Sequence, residues 1–371
     1  MRDLDKFRGC LIGGAAGDAL GYAVEFMRED RIFARYGAGG ITEYALEGGK
    51  ALISDDTQMT LFTATALLYG TTRGRMRGIM GPWHGYLRYA YKDWLQTQEE
   101  RYPLAGYHHS WLVNLPEMFS RRAPGNTCLS ALHSDQWGTV EDPINDSKGC
   151  GGVMRVAPVG LYFNGREYYT VQDVAKIGAD AAAVTHGHPM GWMPAAALAQ
   201  IIHEVAQDGA EIADAVRHSL ATAEELWPDV RKREKLTALT EKALELAGGE
   251  TDDLEAIHQL GEGWVAEETL AIAVYCAVKY QDDFDRALIA AVNHNGDSDS
   301  TGAVTGNILG AKLGLSGIPE KWLKDLELKD LILEIADDLY NDCRMSEYDY
   351  EHEDPVWTRK YIEVCYPGWP E

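Results

Sequence analysis

An all-α fold is what the 371-residue sequence predicts, and three observations carry the prediction. Apolar residues recur at three- and four-residue spacing along most of the chain; alternating segments with β-branched residues are few; no strand–helix–strand rhythm occurs. In order, Leu4, Phe7, Cys10 and Leu11 mark the first helix, which runs into Gly13-Gly14-Ala15-Ala16-Gly17. Leu61, Ala64, Leu67 and Leu68 mark an apolar helix over 61–69. Two further helices carry Ile201, Ile202 and Val205, and Leu270, Val274, Ala277 and Val278. The last of the set spans 303–314, with Gly302, Gly306 and Gly310 at four-residue spacing. Small residues so spaced let helix axes approach closely. With no internal repeat and no low-complexity linker, the chain reads as one compact multi-helix domain over residues 1–371.

Two polar regions interrupt the pattern. Residues 97–150, with Pro103, Pro116, Pro124 and Pro143, read as long ordered loops around short helices. Residues 208–263 read as charged surface helices joined at Gly248-Gly249.

Composition then excludes several functions. With 34 basic against 58 acidic side chains the formal charge is −24, and binding to a nucleic-acid backbone needs clustered Lys and Arg instead. At 46% hydrophobic residues the chain has ample material for a core, which excludes global disorder. The opening MRDLDKF lacks an apolar stretch after a basic start, so no secretory signal is expected. A run of about 18 apolar residues, the length that crosses a membrane, is absent. Six scattered cysteines without CxxC pairs read as free thiols in a reducing compartment, so a cytoplasmic protein is expected.

Two segments carry crowded acids: Ser54-Asp55-Asp56-Thr57 and Asp297-Ser298-Asp299-Ser300. Each stands in the turn before an apolar helix, and one such site alone would read as helix capping. Two together are different, because four carboxylates brought close repel one another unless cations neutralise them. Ligands that are all oxygen select Mg²⁺, Mn²⁺ or Ca²⁺ over zinc. An EF-hand is excluded: Ile308 occupies the position where the calcium loop needs a bidentate Glu. Neither a P-loop nor a strand-linked GxGxxG is present. Gly149-Cys150-Gly151-Gly152, ahead of Arg155, can form either a structural turn or a backbone nest for a diphosphate. His186 and His188 lack the further ligands of a zinc site, and no GxSxG elbow supports a serine nucleophile.

Taken together, Gly13 to Gly21 with Glu25, the Ser54-Asp55-Asp56-Thr57 and Gly296-Asp297-Ser298-Asp299-Ser300 motifs, Ala123 to Thr127, Gly149 to Arg155 and Thr185-His186 resemble, in order, the ADP-ribosylglycohydrolase family. The resemblance covers roughly residues 5–325 and implies a compact all-α fold whose cleft holds two Mg²⁺ or Mn²⁺ ions. It implies Ser54, Asp55, Asp56, Asp297, Asp299 and Ser300 as metal ligands. Gly149, Gly151, Gly152, Met154 and Arg155, with His186 nearby, are implied to line the groove for the diphosphate and distal ribose. Many members carry Thr where this chain has Ser54, Ser298 and Ser300; Ser keeps the hydroxyl. The implied reaction is hydrolysis of ADP-ribose from a modified side chain, arginine first, with serine-linked and O-acetyl-ADP-ribose as alternatives. Glu25 is the preferred base, with Asp55, Asp56 and Asp299 as the other acids able to take a proton. The expected partners are an ADP-ribosylated protein or small molecule, and an ADP-ribosyltransferase toxin if the role is immunity. The rival reading is a non-catalytic protein that occludes such a toxin.

Overall fold

The structure, a computed structural model, describes residues 2–163, 169–348 and 353–365. Residues 1, 164–168, 349–352 and 366–371 of the expected 1–371 domain lie outside the described residues. The described chain is helical, and its only ladder contacts are isolated bridges such as Ala51 with Leu326 and Gly149 with Val265. None of its helices is long and apolar enough to cross a membrane.

At the centre, the opening helix Leu4–Tyr22 lies against Ser298–Leu313, two elements from opposite ends of the sequence. Both are buried nearly all round, which fits their lack of an amphipathic stripe. Their glycines are the reason they touch. A Cβ added to Gly17 would stand 1.9 Å from Gly302 O, and one on Gly306 would stand 1.9 Å from Gly13 O. Backbone therefore packs on backbone, as the four-residue spacing predicts. Asp3 caps the opening helix by accepting from Asp5 N at 3.0 Å.

The helix expected over 61–69 is the middle of a longer one, Asp55–Arg77. It starts earlier because Ser54 serves as N-cap, its Oγ accepting from Asp56 N at 3.2 Å. It ends at Gly78, whose φ of +65° only glycine adopts freely. Asp55 and Asp56 thus sit inside the first turn rather than in the turn before it, where the helix dipole favours anions. The same shift applies to Asp299 and Ser300, which follow Asp297 at the N-cap of Ser298–Leu313.

Around this pair pack Ala266–Lys279, Phe284–Val292 and Lys329–Asn341. The alanine-rich helices Val171–Ala183 and Pro189–His203 pack on each other. The acidic stretch forms Ile212–Leu226, Arg233–Ala247 and Asp253–Leu260, the last two joined through Gly248 and Gly249. The proline-rich stretch forms short 3₁₀ turns and the helix Asn126–His133. One hydrophobic core runs through the described helices.

Candidate active site

A cavity of about 540 Å³ opens where the two acid-bearing helix N-termini meet the loop around Ala123–Thr127 and the turn Cys150–Gly152. Asp55 and Asp56 reach it from one helix, Asp297, Asp299 and Ser300 from the other, and Glu25 from the segment after the opening helix. All are buried. Ser300 Oγ donates to Asp56 Oδ1 at 2.8 Å, and Gly125 N donates to Asp55 Oδ2 at 3.4 Å. Asp299 Oδ1 accepts from Ser300 N at 2.9 Å. Asp297 holds an N-cap position, yet its side chain makes no capping hydrogen bond. Capping therefore explains Ser54 but not Asp297.

Carboxylate oxygens of Glu25, Asp297 and Asp299 all lie within 4.8 Å of one another, and Glu25 Oε2 is buried without a hydrogen-bond partner. Burial, then the neighbouring Asp299 and Asp297, push the Glu25 carboxyl up to about 11. Asp55, Asp56 and Asp297 are raised well above the usual range, first by burial and next by Asp299. So many acids facing one cavity make a site whose charge calls for cations. A hard divalent ion, bound through oxygen, is the group this donor set fits.

Sequence reasoning missed Asp18. This buried carboxylate accepts from Ser54 N at 3.0 Å, from Thr57 N at 3.0 Å and from the Thr57 hydroxyl. It fixes the start of Asp55–Arg77 from below, and burial followed by Asp299 raises it to about 7. The only signal was a lone acid within Gly13-Gly14-Ala15-Ala16-Gly17-Asp18-Ala19.

The glycine turn supplies the opposite wall. Gly149, Gly151 and Met154 line the cavity beside His186. A Cβ on Gly151 would come within 3.0 Å of His186 Cε1, so glycine lets the turn lie against the imidazole. Cys150 N donates to Trp264 O at 3.3 Å and Ala266 N to Lys148 O at 2.9 Å, which ties the turn to the segment before Ala266–Lys279. Gly152, Arg155 and Ser54, expected at the site, stand behind its surface. Gly152 packs on Gly191 O and Ala182. Ser54 is taken up by its cap. Arg155 is fully buried: Nη2 donates to Ala181 O and to Thr185 Oγ1, both at 2.7 Å, and its guanidinium lies 4.2 Å from the centroid of the Tyr91 ring. Arg155 thus reaches the cavity through Thr185, whose Oγ1 lies 2.8 Å from His186 Nδ1. Burial, with Arg155 nearby, lowers His186 to about 3, so the ring is neutral.

At the mouth, Phe26 and Trp264 are exposed and stacked, with centroids 6.2 Å apart and planes at 25°. Neither stood out in the sequence, because their pairing joins segments far apart along the chain.

Residues 1–349 match the family model described as ADP-ribosylglycohydrolase. Among curated relatives, the ADP-ribosyl-[dinitrogen reductase] glycohydrolase of Rhodospirillum rubrum is 26% identical over 88% of this chain and 91% of its own. ADP-ribosylarginine hydrolase Tri1 of Serratia proteamaculans is 25% identical over 91% of this chain and 79% of its own. A solved structure titled ADP-ribosylglycohydrolase-related protein complex superposes with a TM-score of 0.59 at 25% identity, covering 91% of this chain and 98% of that one. The chain belongs to the ADP-ribosylglycohydrolase family.

Proposed function

We propose that the protein is a hydrolase that removes ADP-ribose from modified protein side chains, ADP-ribosyl-arginine first, and that it works with two Mg²⁺ or Mn²⁺ ions. Residues 1–371 are taken as one domain, and the free state of all six cysteines fits a cytoplasmic location. The observation that carries the reading is the meeting of Glu25, Asp55, Asp56, Asp297 and Asp299, from three separate stretches, in one cavity walled by Gly149 and Gly151. Arginine is placed first among acceptors because the Serratia relative bears that activity in its name and matches along nearly the whole chain.

Ser54, Asp55, Asp56, Asp297, Asp299 and Ser300 are the proposed metal holders, Ser54 from the turn it caps. Divalent ions bound there would neutralise the carboxylates and would make a nearby water more acidic. The chain's own groups do the rest. Glu25, with one oxygen free of protein partners, would be ionised once cations offset the neighbouring carboxylates that raise it, and would then accept the proton from the attacking water. Asp55, Asp56 and Asp299 stand next in line for that role. Hydrolysis at the ribose anomeric carbon builds positive charge on the ring, which the surrounding carboxylates stabilise. Gly149 and Gly151 would present backbone to the diphosphate, and their lack of a Cβ lets the turn lie against His186. Neutral His186, held by Thr185 and Arg155, donates or accepts hydrogen bonds without adding charge.

The test is release of ADP-ribose from arginine-modified protein in Mg²⁺ or Mn²⁺, by wild type, by Asp297→Ala and by wild type in excess EDTA. Release by wild type alone is expected. Parallel arms with serine-linked substrate and O-acetyl-ADP-ribose fix the acceptor. Full release in EDTA would remove the metals from the mechanism. No release on any substrate, with tight binding to an ADP-ribosyltransferase toxin, would make the protein an occluding binder instead.

A further inference from the structure

A second cavity, of about 370 Å³, opens near the far end of Asp55–Arg77. Asp55 begins that helix in the carboxylate cavity, and Tyr69 and Arg73 come fourteen and eighteen residues later. At 1.5 Å per residue they stand roughly 21 and 27 Å away, so the two cavities are separate sites.

The walls of the second are rings: Tyr69, Tyr86, Tyr89, Tyr107, His109 and Trp137. They are held in a fixed arrangement. Tyr89 lies parallel to His109, centroids 4.5 Å apart and planes at 14°, and Trp137 stands edge-on to Tyr89 at 5.6 Å. Buried Asp93 accepts from His109 N at 2.5 Å and Ser110 N at 2.8 Å, which pins the loop that carries His109. The Tyr69 and Tyr107 hydroxyls are 2.6 Å apart, and Arg73 Nη1 donates to Tyr69 Oη at 3.1 Å. Arg73 is the cation in the lining, and among the described residues no carboxylate pairs with it, although the chain as a whole carries −24. Tyr89, Trp137 and Tyr107 remain 40%, 39% and 66% exposed, which leaves aromatic surface free for a ligand.

Flat rings in offset or edge-on array favour another flat ring between them. A guanidinium without a carboxylate, beside two phenols, favours an anionic oxygen group. A cavity of this size is in the range that encloses a small organic ligand. We propose that the second cavity binds a flat aromatic ring bearing a phosphate or carboxylate, with the ring against Tyr89 and Trp137 and the anion on Arg73. This inference does not depend on the chemistry of the carboxylate cavity.

Calorimetric titration of the full chain tests it. The probes are AMP and 4-hydroxybenzoate, with adenosine and ribose 5-phosphate as the ring-only and anion-only controls. Binding of AMP, of hydroxybenzoate or of both supports the proposal, and the tighter of the two identifies the source of the anion. Arg73→Gln and Tyr89→Ala should each weaken that binding at least tenfold. Arg73→Lys should recover part of it, and Asp297→Ala in the other cavity should leave it unchanged. Thermal melts of Arg73→Gln and Tyr89→Ala that match wild type show that the loss is local; if either melts early, the other variant decides. No binding of either probe overturns the proposal. So does equal binding by the controls, indifference to Arg73→Gln and Tyr89→Ala, or loss in Asp297→Ala.

Discussion

Ser300 donates its hydroxyl to Asp56 across 2.8 Å, joining the first turns of two helices whose contact residues lie 244 positions apart. The bond orients one carboxylate of the cavity from the side opposite its own helix. Ser300→Ala removes the donor and leaves a buried Asp56 oxygen short of a partner. Divalent-ion affinity should fall by at least about 10–100-fold, since Ser300 is both a proposed metal holder and the group that orients Asp56, while Ser300→Thr keeps the hydroxyl and the affinity. Titration with Mn²⁺ checks both, and wild-type affinity in the alanine variant would show that the bond does not matter to the site.

Glu25 supplies a second expectation. Its Oε2 has no protein partner, as suits a group that exchanges a proton with water. Glu25→Gln keeps the shape and removes the base, so kcat should fall by ~10²–10⁴, with ADP-ribose still bound. A variant that raised only KM would assign Glu25 to binding, and Asp55, Asp56 or Asp299 would inherit the proton.

What the sequence made legible follows from what is local. Spacing of Gly302, Gly306 and Gly310 announced a close helix contact, but the partner, an opening helix nearly 300 residues away, is a tertiary fact that periodicity does not encode. The acid motifs were visible because two crowded acid pairs, each opening an apolar helix, together exceed what capping explains. Asp18 was not, since its meaning lies in the Ser54 and Thr57 groups it receives. Arg155 shows the reverse: its residue type fits a diphosphate, while the structure places it beside Tyr91 and Thr185, one contact behind His186. Side-chain chemistry could be read from the sequence; depth could not.

The glycine contact gives a stability test. Gly306→Ala would set a Cβ 1.9 Å from Gly13 O and 2.5 Å from its carbonyl carbon. Backbone cannot yield as a flexible side chain can, so a loss of at least ~1–3 kcal/mol is expected. Gly85→Ala is the contrast, since that helical glycine would meet only Trp137, at 3.7 Å. It should be neutral or stabilising by up to about 1 kcal/mol through helix propensity. Urea unfolding of both variants checks the pair, and similar midpoints would mean that the central helices are free to separate.

Asp180, on the helix Val171–Ala183 and away from the acid cavity, gives the expected pH dependence. Burial, followed by the negative charge of Glu141, raises its carboxyl from 3.8 to about 6. The folded state therefore holds the proton more tightly than the unfolded chain, and the contribution is favourable below pH ~4 and lost as pH rises through ~6. Above that, the protein carries a half-buried anion at a cost. Asp180→Asn keeps the shape without the charge, so it should unfold later than wild type at pH 7–8, by ~1–2 kcal/mol. The advantage should shrink as pH falls from 6 towards 4, and Glu141→Gln should give a smaller gain over the same window. Urea unfolding at several pH values between 4.5 and 8 measures the difference. A difference that stays constant across that range would mean that Asp180 is ionised as easily in the folded protein as in the unfolded chain.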